Sequence, residues 1–78
     1  MQETVLARVA GVIARTFDIG PDSITASTVA DDVPGWDSLS HTILTMSLED
    51  EFGVVLPPEA REFADVGELA RTIERLLA

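Results

Sequence analysis

Three segments of this 78-residue chain repeat apolar residues at helical spacing, and none alternates as a strand does. Val66, Leu69, Ala70, Ile73, Leu76 and Leu77 give the cleanest period and predict a last helix from about Val66 to Leu77. Asp65 and Glu68 stand before it at capping-box spacing, with Asp in place of the usual Ser or Thr. Leu6, Val9, Ala10 and Ile13 form one stripe and predict a first helix from about Glu3 to Thr16, extended by Phe17 and stopped by Gly20-Pro21. A chain this short holds one core, so these helices must share it. The reading is all-α: one domain, residues 1–78, with three main helices and one short one.

The second helix is expected over Ser38–Phe52, with Asp37 as N-cap and Gly53 as its stop. At about 100° per residue its apolar residues fall on two opposite sides. Leu44, Leu48 and Phe52, with Thr45 beside them, occupy one; Leu39, Ile43 and Met46 occupy the other. A helix in a small bundle buries one face. Val54, Val55 and Leu56 continue the apolar character of the first set, so that set is assigned inward and Leu39, Ile43 and Met46 outward. The expected core is Leu6, Val9, Ile13, Leu44, Leu48, Phe52, Leu69, Ile73 and Leu76. Pro57-Pro58 opens the short helix, through Arg61 or Glu62.

A long connection, Asp18–Trp36, separates the first two helices; it is rich in Asp, Ser, Thr, Gly and Pro. Ile24, Val29 and Val33 are its apolar anchor points, and Trp36 packs its end against the bundle.

Charge sharpens the picture. There is no Lys; the five cations are Arg8, Arg15, Arg61, Arg71 and Arg75. Between Phe17 and Ala60 there is no Arg and there are nine acids, so the net charge of −9 belongs to that middle segment. Such a field repels nucleic acid and anionic membrane, and it attracts basic protein surfaces. It also serves solubility. No apolar run is long enough to span a membrane, and the N-terminus lacks the features of a signal peptide. Zero Cys and one His exclude a disulfide and most metal chemistry, and favour a cytoplasmic chain.

Ser38 is the residue with chemistry to offer. As its own nucleophile it would need a base, an orienting group and an enclosed site. His41 lies one turn on, but no third group orients it and no cleft is expected. A packing or hydrogen-bonding role suits His41 better. As an acceptor of modification, Ser38 needs only exposure, and the first turn of a helix favours a phosphoryl product. Asp37 opposes that anion by like charge and makes more sense facing a basic enzyme or a metal-bound group during transfer.

The run GWDSLSHTILTMSLEDEFG, with Asp22-Ser23-Ile24-Thr25 and Asp31-Asp32 before it and Pro57-Pro58 after it, resembles the acyl carrier protein family across essentially the whole chain. That resemblance implies a four-helix bundle carrying 4′-phosphopantetheine on Ser38, flanked by Asp37 and Leu39. A phosphopantetheinyl transferase would install the group from coenzyme A. Acyl intermediates would ride on it as thioesters, and acyl-loading and acyl-processing enzymes would dock on Leu39, Ile43, Met46, Glu49 and Asp50. It implies a monomeric carrier, not an enzyme. Ser40, Thr42 and Ile43 stand where fatty-acid-synthesis carriers often have acids, and Trp36 resembles carriers of specialised pathways such as polyketide synthesis. The competing readings are a peptidyl or aminoacyl carrier, against which Asp37 argues, and an unmodified adaptor binding through Leu39, Ile43 and Met46.

Overall fold

The computed structural model describes residues 4–78. Its elements are α1 (Val5–Phe17), α2 (Ser38–Phe52) and α3 (Val66–Leu77), with single 3₁₀ turns at Pro21–Ser23, Ala30–Asp32 and Pro58–Ala60. The expected helix start at Glu3 lies outside the described residues. Thr4 caps α1, its hydroxyl accepting from the Ala7 N–H at 3.1 Å. α1 ends sooner than Gly20-Pro21 requires: Asp18 takes the left-handed conformation (φ 55°), and its N–H donates to the Ala14 carbonyl. Aspartate tolerates that conformation better than most residues.

α1 is the central helix, packing against both α2 and α3. It buries Val9, Ala10, Val12, Ile13 and Ala14. Against it lie Leu44, Leu48 and Phe52 of α2 and Val66, Leu69, Ala70 and Ile73 of α3. Burying a side chain such as Leu48 or Ile73 contributes roughly 1.5–3 kcal/mol. Ile24 and Leu56 close the core from the two long connections.

Two residues depart from the expected core. Leu6 is only partly buried and packs at its margin. Leu76 is 39 % exposed. The expected short helix from Pro57-Pro58 to Arg61 or Glu62 is one turn, Pro58–Ala60, too short to cover the end of α3. Leu76 therefore opens onto a groove of about 530 Å³ between that turn and α3.

The connection 18–37 is held by more than its apolar points. Ile24 and Val33 are buried and Val29 half-buried. Helix α3 supplies the rest through its free first-turn donors. The Val66 N–H donates to the Thr28 carbonyl at 2.9 Å and the Gly67 N–H to the Ala26 carbonyl at 2.7 Å. A Cβ on Gly67 would lie 2.9 Å from the Ala26 carbonyl oxygen, so the approach requires glycine. Asp65 completes the α3 start, its Oδ1 accepting from the Glu68 N–H at 2.8 Å.

Gly67→Ala tests this anchor. Ala favours helix over Gly by about 1 kcal/mol. Here the clash is with backbone, and the variant should lose about 1–3 kcal/mol in urea unfolding. A gain in stability would show that the loop yields instead.

Candidate functional site

Ser38 is the first residue of α2 and is exposed. Gly35 turns the chain into it with φ +85°, a conformation that suits glycine. The cap forms around Ser38 without using its hydroxyl. Asp37 Oδ1 accepts from the Ser40 N–H at 2.9 Å. Ser40 Oγ accepts from the Asp37 N–H at 2.9 Å. Its single proton is shared between the Gly35 carbonyl at 2.7 Å and Asp37 Oδ1 at 2.8 Å. This is a capping box with Ser in the place of Glu or Gln. The Asp-x-x-Ser spacing of Asp37 and Ser40 is the sequence signal for this cap. An open hollow of about 520 Å³, lined by Ala30, Trp36, Asp37, Ser38, His41 and Thr42, adjoins the hydroxyl.

The Asp37 carboxyl is held below the usual carboxylate range. The Ser40 backbone N–H is the largest cause, followed by the Ser40 hydroxyl; desolvation opposes them. Asp37 is therefore an anion at neutral pH, next to the residue that would receive a phosphate.

His41 does not serve Ser38 as a base. Its Nε2–H donates to the Arg61 carbonyl at 2.7 Å, and its Nδ1 accepts from Trp36 Nε1–H at 3.1 Å. The two partners together select this neutral tautomer. Both ring nitrogens are thus committed, in the hydrogen-bonded role the sequence favoured. The ring stacks on Phe63 with centroids 5.4 Å apart, and Trp36 stacks on Phe17 at 5.0 Å.

The apolar residues after Ser38 face outward: Leu39 is 72 % exposed, Ile43 48 % and Met46 62 %. Asp50 is exposed on the same side. Glu49 is not, because it turns toward the Pro57–Arg61 segment. Its Oε2 accepts from the Leu56 N–H at 2.7 Å and lies 3.6 Å from Arg61 Nη2. Glu51 turns toward α1, 3.2 Å from Arg8 and 3.5 Å from Arg15. These partly exposed pairs add little stability, but they offset the charge of two acids near the end of α2. Asp31, Asp32 and Asp37, which precede α2, are exposed and form no ion pair among the described residues.

Among the described residues there is no cluster of three or more metal-ligating side chains, and no helix is long and apolar enough to cross a membrane. A helical bundle presenting one uncommitted hydroxyl at a helix start, with an open apolar stripe beside it, has the form of a carrier domain. Residues 7–73 match the family described as "Phosphopantetheine attachment site". An acyl carrier protein of Phenylobacterium zucineum is 32 % identical over 74 residues, covering 94 % of each chain. Acyl carrier proteins from two strains of Caulobacter vibrioides are 31 % identical over 70 residues, covering 88 % of this chain and 90 % of theirs. The chain belongs to the acyl carrier protein family. It is a carrier rather than a catalyst, its prosthetic group is a covalently attached 4′-phosphopantetheine, and it works with a phosphopantetheinyl transferase and acyl-processing enzymes.

The Asp37 cap carries a pH signature. Its folded pKa is lowered from 3.8, so its contribution is present above that value and is lost as pH falls through the folded one. Asp37→Ala should lower the melting temperature at about pH 7, and the gap to the unmutated chain should narrow at an acidic pH below the folded pKa. An equal gap at both pH values would show that the carboxylate is not the cap.

Proposed function

We propose that Ser38 is the attachment point, and that residues 1–78 form a single, monomeric acyl carrier domain acting in the cytoplasm. The supporting observation is the division of labour at the start of α2. Asp37 and Ser40 complete the cap, leaving the Ser38 hydroxyl exposed beside an open hollow. The residues fit the prosthetic group: a hydroxyl to form the ester, room beside it, and first-turn backbone N–H groups suited to a phosphate.

In the loading step Ser38 Oγ forms a bond to phosphorus and the pyrophosphate linkage of coenzyme A breaks. Adenosine 3′,5′-bisphosphate leaves, and the serine proton passes to a base of the transferase. The installed group supplies a flexible arm ending in a thiol, which holds acyl units as thioesters. The chain's own part is presentation. Ser38 and the stripe Leu39, Ile43, Met46 lie on one rigid helix, so a partner seated on the stripe meets the modified serine at a fixed distance.

The stripe also bears on the pathway. Its polar neighbours are Ser40, Thr42 and Ser47, which are neutral, and Asp50 is its one free acid, since Glu49 is paired. A partner reading this face uses apolar contact more than cations, which supports a specialised pathway such as polyketide synthesis over housekeeping fatty acid synthesis.

Incubation with coenzyme A, Mg²⁺ and a promiscuous phosphopantetheinyl transferase should add the mass of one phosphopantetheinyl group, and Ser38→Ala should abolish the gain. No gain in the unmutated chain, or a gain that survives Ser38→Ala, would overturn the assignment and favour an unmodified adaptor. Ile43→Glu should weaken loading by the native acylating partner while changing stability by less than about 0.5 kcal/mol, as an exposed site allows. A large fall in melting temperature would instead place Ile43 in the core.

A further inference from the structure

Trp36 and His41 bracket Ser38 in sequence, two residues before it and three after. They are joined by the side-chain bond from Trp36 Nε1–H to His41 Nδ1, 3.1 Å long. His41 passes the link on through its Nε2–H to the Arg61 carbonyl at 2.7 Å. Arg61 is itself held, its Nε–H donating to the Leu56 carbonyl at 3.1 Å and its Nη2 lying 3.6 Å from Glu49. One continuous chain of polar contacts thus ties the end of the first connection, the first turn of α2 and the turn at Pro58–Ala60.

Packing surrounds that chain. Trp36 stacks on Phe17 at the end of α1, and His41 stacks on Phe63 just before α3. Trp36 and Phe63 meet edge to face, with centroids 6.1 Å apart. Rings from four separate segments therefore converge next to Ser38. Trp36 and His41 also form walls of the open hollow beside the Ser38 hydroxyl.

His41 is placed to act on Ser38 only through this framework. Its nitrogens are both occupied, so it neither takes the serine proton nor donates to an incoming phosphate. It lies about 160° round the helix from Leu39, at about 100° per residue, away from the docking stripe. Trp36 has the matching constraint. Without its bond its indole N–H would lack a partner in a partly apolar pocket, which favours swinging the ring out across the hollow.

We infer that the Trp36–His41 pair, anchored on the Arg61 carbonyl, is a positioning device that holds the Gly35–Asp37 turn in place and keeps the hollow beside Ser38 open to the phosphopantetheinyl transferase. The inference rests on Ser38 being the attachment point. It separates two functions on α2: the outward stripe determines how tightly a partner binds, and the inward Trp36–His41 pair determines how well Ser38 is presented once it has bound.

The test is the steady-state rate of phosphopantetheine transfer from coenzyme A, followed by intact mass over a range of carrier concentrations, well below the melting temperature of every variant. His41→Ala and Trp36→Phe should each lower kcat about tenfold and leave KM within about twofold, as expected for lost positioning without lost docking. The double variant should be no slower than the slower single one, because the two residues act through one bond. His41→Asn keeps an acceptor near the Nδ1 position and should recover most of the rate. It should also recover the emission of Trp36, the only tryptophan. Trp36→Phe retains an aromatic ring, so the test stands if His41→Ala folds poorly. Unchanged kcat in folded Trp36→Phe, losses that multiply in the double variant, or a raised KM at unchanged kcat would each overturn the positioning role. If the unmutated chain gains no mass, the assignment of Ser38 fails. If it does, and Ser38→Ala does not, while the Trp36 and His41 variants load normally, only the positioning inference fails.

Discussion

Helix α2 carries more apolar surface than the bundle can cover. Leu44, Leu48 and Phe52 lie about opposite to Leu39, Ile43 and Met46, and only the first set joins the core. Each large side chain left exposed forgoes roughly 1.5–3 kcal/mol of burial. The choice of buried side is therefore strongly determined: Leu44 and Leu48 are fully covered. That choice orients the whole helix, and it places Ser38 at the solvent-facing edge of its first turn with an open apolar stripe running away from it. The surface of this carrier follows from the packing limit of a three-helix core.

The remaining order is polar. The connection between α1 and α2 buries few side chains, so backbone donors at the start of α3 take up its carbonyls at Ala26 and Thr28. The close approach at Gly67 allows this pairing and leaves the first turn of α3 without free N–H groups there. The other end of the connection is held by the Trp36–His41–Arg61 chain. Both devices use groups a folded chain must satisfy in any case.

Electrostatics acts in the same direction. Arg8 and Arg15 on α1 meet Glu51, and Arg61 meets Glu49, so acids near the end of α2 are balanced by the flanking segments. Asp31, Asp32 and Asp37 have no such partners among the described residues. The acids of residues 18–60 are therefore not equivalent: Glu49 and Glu51 are paired with Arg, and the exposed, unpaired ones are those that would attract a basic enzyme surface.

Local pattern alone determined the three helices, the Asp37, Asp65 and Gly53 boundaries, and the division of α2 into an inner and an outer face, because these depend on spacing within one segment. The run around Ser38 also pointed to the family. Tertiary structure decided the rest, since each remaining feature joins residues far apart in the chain. Glu49 reads as a docking acid until Arg61 and Leu56 claim it. Leu76 reads as core until the Pro58–Ala60 segment proves too short to cover it. Gly67 looks like a poor helix residue until the Ala26 carbonyl occupies the space of its missing Cβ. His41, beside Ser38 in sequence, is given to Trp36 and Arg61 by the fold, and the serine hydroxyl is left exposed.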